Sequence, residues 1–153
     1  MSDVQNILAS YNLEENHIYL LELIPLIEMI WADGKNKTPE INILYHFTIE
    51  HLARLNRDSN SVEVISEDEV NRFIDRFIHE RPDPQMLKDL RDVCAIRISE
   101  KTDEADRQAS REAILNYCID IAAACASQYP YKFNERIVAE EKKLLIELFA
   151  AFS

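Results

Sequence analysis

The chain has 153 residues, 47% of them apolar, which is enough to build a core and too many for a disordered composition. Its 28 acidic residues outnumber 17 basic ones for a net charge of -11, which disfavours nucleic acid and anionic membrane surfaces and favours cations and basic partners. The single glycine excludes a glycine-rich phosphate loop. The three cysteines (Cys94, Cys118, Cys125) have no Cys-x-x-Cys spacing, so a disulfide scaffold and structural zinc are poor readings, and buried thiols in a cytoplasmic protein fit better.

Taken in chain order, the apolar spacing is helical almost throughout. Asn12 and Glu15 form a capping-box pair that predicts a helix over 12–32, with Leu20, Leu23, Ile24, Ile27, Ile30 and Trp31 on its apolar face and a kink at Pro25. This stretch holds the longest apolar run, but Glu22, Pro25 and Glu28 interrupt it. No membrane insertion is expected, and no basic leader pattern opens the sequence. A second helix is predicted over 39–56, with Ile41, Leu44, Tyr45, Thr48, Leu52 and Leu55 inward. A polar loop follows. Ser66 and Glu69 then make a capping box for a helix to residue 79. Asp83 followed by Pro84 opens the next, over 84–100.

After a break at 101–103, a long helix to residue 127 carries Ala109, Ala113, Ile114, Tyr117, Ile121 and Ala124 inward. A last helix capped by Asn134 runs to residue 151, with Ile137, Leu144, Leu145, Leu148 and Phe152 apolar. The aromatics Trp31, Tyr45, Phe47, Phe73, Phe77, Phe149 and Phe152 are expected in the core. No alternating strand pattern persists. The expected class is all-α: one domain of six to seven helices in a compact bundle. The run 27–33 is echoed by 119–125, and each is followed by a proline-containing loop and a helix with an early glutamate. The echo predicts two weakly repeated helix pairs about a pseudo-two-fold axis, with Asp120 in the place of Glu28.

Chemistry concentrates at one corner. The apolar helix ends in Asp33-Gly34, where glycine tolerates the positive φ of a helix end, and Thr38-Pro39-Glu40 starts the next helix. Asp33 sits where the helix dipole disfavours an anion, and Glu40 where it favours one. If Glu28, Asp33 and Glu40 converge, three carboxylates without thiolates suit Ca²⁺, Mg²⁺ or Mn²⁺ better than Zn²⁺. The alternative is structural: Asp33 accepts from loop amides, Glu40 is an ordinary first-turn residue, and Glu28 pairs with a lysine or arginine. The loop lacks the ligand spacing of an EF-hand. His17 follows Glu14 in a lone Glu-x-x-His, and His46 stands four residues before Glu50. A carboxylate-metal enzyme would need these groups to meet glutamates from other helices in the core.

The run Pro25-Leu-Ile-Glu-Met-Ile-Trp-Ala-Asp-Gly-Lys35, followed by Thr38-Pro-Glu40, resembles the first motif of the TerB-like, tellurite-resistance domain family. The resemblance spans roughly residues 20–150, as expected of a domain of this size. It implies an all-helical pseudo-symmetric fold, a stress-response role without catalysis, and binding of a divalent metal ion through acidic residues. Carried onto this chain, those residues are Glu28, Asp33, Glu40 and Asp120. The second half departs from the pattern, because Cys125-Ala126-Ser127 stands where an Asp-Gly would be. The other expectation is a protein–protein interaction module whose acidic surface docks a basic partner with no metal.

Overall fold

The computed structural model describes residues 2–13, 15–32, 38–58, 65–100, 103–126 and 139–152. Seven α-helices lie among these residues: α1 (Ser2–Ser10), α2 (Ile24–Trp31), α3 (Thr38–Asp58), α4 (Glu67–His79), α5 (Pro84–Ser99), α6 (Glu104–Ala126) and α7 (Ala139–Ala151). A 3-10 segment, Glu15–Leu23, precedes α2, and no strand occurs among the described residues. The fold is all-α. Asp33, Gly34, Asn134 and Ile137 lie outside the described residues, as does the rest of the corner loop.

Local hydrogen bonding explains several boundaries. The Ser66 hydroxyl caps α4 by accepting from the Glu69 N–H at 3.2 Å, and the same hydroxyl donates to Glu69 Oε1 at 3.2 Å. Asp83 Oδ1 caps α5 by accepting from the Gln85 N–H at 3.1 Å, with Pro84 at the first helical position, where no N–H is needed. Asp103 Oδ1 accepts from the Ala105 N–H at 2.9 Å and opens α6.

The N-terminal expectations need correction. Residues 2–10 are helical, and Asn12 ends that helix instead of starting the next. Asn12 takes a φ of 60°. Its N–H donates to Ala9 O at 3.0 Å, and the Leu13 N–H reaches back to Leu8 O at 2.8 Å. This is a Schellman stop, with Leu8 and Leu13 both buried beside it. Arg76 on α4 fastens the turn by donating to the carbonyls of Tyr11 and Asn12 at 2.6 and 3.2 Å. The Tyr11 hydroxyl donates to Asp89 on α5 at 2.5 Å. Nor does one kinked helix run over 12–32. The backbone is 3-10 up to Leu23 and becomes α only at Ile24, so Pro25 falls in the first turn of α2 instead of mid-helix.

All eight residues of α2 are buried, Glu28 included. This helix packs against the 3-10 segment, α3, α5, α6 and α7, while α6 lies along both α2 and α3. Trp31 ties α2 to the end of α4, its indole N–H donating to Phe77 O at 2.8 Å. On α3 the buried stripe is Leu44, Phe47, Thr48 and His51, rotated from the expected one. Tyr45 and Phe149, expected in the core, are partly exposed, and Ala109 on α6 is exposed. The remaining described aromatics of the expected core (Trp31, Phe47, Phe73, Phe77 and Phe152) are buried.

Candidate functional site

Three helices each contribute residues three or four apart, and these converge on one surface pocket of about 330 Å³. Glu28 and Trp31 come from α2, and Leu144 and Glu147 from α7. Pro84, Leu87, Lys88 and Arg91 share one face of α5, since residues at i, i+3, i+4 and i+7 stack along a helix. Arg81 and Pro82, in the α4–α5 link, close one side.

The floor of this pocket is ionic. Glu28 is only 8% exposed and Arg91 only 4%. Arg91 Nη1 lies 3.4 Å from Glu28 Oε2 and 3.5 Å from Glu147 Oε2. Both distances exceed the 2.7–2.9 Å typical of a strong charge-assisted contact. Glu28 Oε1 and Arg91 Nε are buried without hydrogen-bond partners. Desolvation therefore dominates. Burial pushes the Glu28 carboxyl up to about 8 against the lowering effect of Arg91, with Glu147 and Asp92 adding to the rise. Behind it on α6, burial drives the Cys118 thiol well above its usual range, and Glu28 contributes to that rise. A thiol held protonated in this way is a small core residue rather than a nucleophile.

The four acidic residues drawn from the sequence occupy different settings. Glu28 faces Arg91, which settles the identity of its basic partner. Glu40 is fully buried in the first turn of α3. Asp120 is exposed on α6, so the sequence echo pairs a buried carboxyl with a solvated one. Asp33 lies outside the described residues. Among the described residues, no group of three or more His, Cys, Asp or Glu side chains is arranged to hold a metal ion.

The histidines also separate. His46 and Glu50 are exposed, and Glu50 accepts from the Tyr117 hydroxyl at 2.7 Å. His17 packs its ring on Phe73 at 5.3 Å. His51 is buried, stacked on Phe47, with Nε2 2.7 Å from Tyr19 O.

A second concavity, of about 450 Å³, lies between α3 and α4. It is lined by Tyr45, Thr48, Ile49, Leu52 and Ala53 from one side and Val70, Asn71 and Ile74 from the other, with Ile65 and Glu67 at one end. Ile49, 68% exposed, stands at its edge. Sequence reasoning placed Tyr45 inside and so missed this groove. The signal available was a second apolar stripe on α3: Ile41, Tyr45, Ile49 and Leu52, three or four apart. Arg91 and Glu147 carried no comparable local mark.

Set against known proteins, the chain matches no family model, no curated protein and no solved structure. No helix among the described residues is long and apolar enough to cross a membrane.

Proposed function

We propose that this chain is a non-enzymatic binding module that docks a basic amphipathic helix in the groove between α3 and α4. The observation that carries this reading is the groove itself, an apolar trough with Ile49 and Tyr45 left in solvent on its α3 side. Helix-in-groove recognition uses apolar anchors spaced three and four apart, which such a trough accepts. Partner charge follows from the chain: at a net charge of -11, with Glu67 at the groove's end, a lysine-rich segment is steered in and an acidic one repelled. A leucine–lysine amphipathic peptide, followed by fluorescence anisotropy, tests the reading. Binding is expected to weaken with added salt, to survive chelation, and to fall roughly tenfold or more in Ile49→Glu. Equal affinity for a leucine–glutamate peptide, or an unchanged affinity in Ile49→Glu, overturns it.

A second reading is a divalent cation held at the helix–loop–helix corner, as in the TerB-like resemblance. It is favoured by the burial of Glu40 in the first turn of α3, beside that corner. The helix dipole there favours an ionised carboxylate, the form in which it ligates a hard cation. Calorimetric titration with Ca²⁺, Mg²⁺, Mn²⁺ and Zn²⁺ is expected to show a saturable site for a hard cation that Asp33→Ala weakens. Absence of heat for every ion, or equal binding by the variant, removes this reading.

A further inference from the structure

We propose that the pocket between α2, α5 and α7 binds a small organic carboxylate, its acid group held by Arg81, Lys88 and Arg91 and its apolar part against Trp31, Leu87 and Leu144.

The sign of the pocket sets it apart from the rest of the molecule. A chain of net charge -11 places three cationic side chains around one concavity, facing two carboxyls. One of these, Glu28, is held largely neutral near pH 7 by its burial, which leaves the local balance positive. Arg91 supplies the directional contact. Its guanidinium carries five N–H donors in a fixed fork. Nη1 is shared between Glu28 and Glu147 at long distances, whereas Nε is buried and has no partner. The long Nη1 contacts leave this guanidinium short of a strong acceptor, which an incoming carboxylate in the pocket supplies. The planar carboxylate is the group that matches this geometry.

The walls argue against a bare inorganic anion. Trp31, Leu87 and Leu144 give one side of the pocket an apolar lining, which a phosphate would leave uncovered. The volume lies near the lower end of the range for small-molecule sites, so the ligand is a short chain or a single ring. This proposal does not depend on the α3–α4 groove, which lies elsewhere on the fold and shares none of its lining residues.

Trp31 is the only tryptophan of the chain and lines the pocket, so its emission reports occupancy directly. With hexanoate as the probe, a saturable change in emission is expected at concentrations up to roughly 10 mM. Hexanol, which lacks the charge, and inorganic phosphate, which lacks the chain, are each expected to bind roughly tenfold more weakly or worse. The double variant Arg81→Gln/Lys88→Gln alters two exposed side chains and keeps the fold. It is expected to lose roughly tenfold in hexanoate affinity, while Ile49→Glu retains the full response. A flat titration, an equal response to hexanol or phosphate, or unchanged hexanoate binding in the double variant refutes the assignment.

Discussion

Replacing Glu28 by glutamine is expected to remove a large part of the pH dependence of stability between about pH 4.5 and pH 8. In the folded protein burial keeps the proton on Glu28 up to about pH 8, whereas the unfolded chain releases it near 4.5. Within that window the native state therefore holds one more proton than the unfolded state, and rising pH favours unfolding. The contribution is complete below 4.5 and is lost as pH climbs through about 8, at a limiting slope of about 1.4 kcal/mol per pH unit. Three other charged groups act on Glu28: Arg91 opposes the rise, and Glu147 and Asp92 reinforce it. The Cys118 thiol titrates above its ordinary range and adds no slope here. Urea unfolding of wild type and Glu28→Gln across the window checks this: the variant's advantage should grow steadily with pH. Stability curves that run parallel would show that Glu28 ionises in the folded state as it does in water.

Phe47→Ala is expected to cost about 3–5 kcal/mol, a large share of the stability of a domain this size. Phe47 is fully buried at the α3–α6 seam. Its ring meets Tyr117 edge-on, with centroids 5.0 Å apart at 73°, and lies nearly parallel to His51 at 5.7 Å. Truncation would leave a cavity and remove both ring contacts, each worth up to about 1 kcal/mol beyond area alone. Tyr45→Ala on the same helix is the control. Its side chain is partly exposed, and a loss under about 1 kcal/mol is expected. Equal losses in chemical denaturation would mean that α3 presents a different face to the core.

Elements governed by local chemistry were legible in the sequence. Ser66 and Asp83 could be read as caps because their hydrogen-bond partners lie two or three residues away. What required tertiary knowledge was misread. Asn12 carries the side chain of a helix start, yet the same residue type tolerates the left-handed backbone of a helix stop, and burial of Leu8 and Leu13 together decides between them. On α3, two apolar stripes compete in the sequence, and it is packing against α6, where Tyr117 meets the ring edge-on, that buries Phe47 and leaves Tyr45 partly exposed. Glu28 was conspicuous as a carboxylate in an apolar helix. Its partner Arg91 was not, because an arginine on a helix far along the chain looks like any solvated one.

The burial of α2 on every side has a consequence for how the molecule comes apart. An eight-residue helix has little stability of its own, and this one has no solvent face to stand on. It exists only while the 3-10 segment, α3, α5, α6 and α7 surround it together. Peeling away any one of these neighbours strips cover from the same central rod, so the order of each is coupled to that of the others. The helix thus acts as a keystone, through which the surrounding elements are tied to one another.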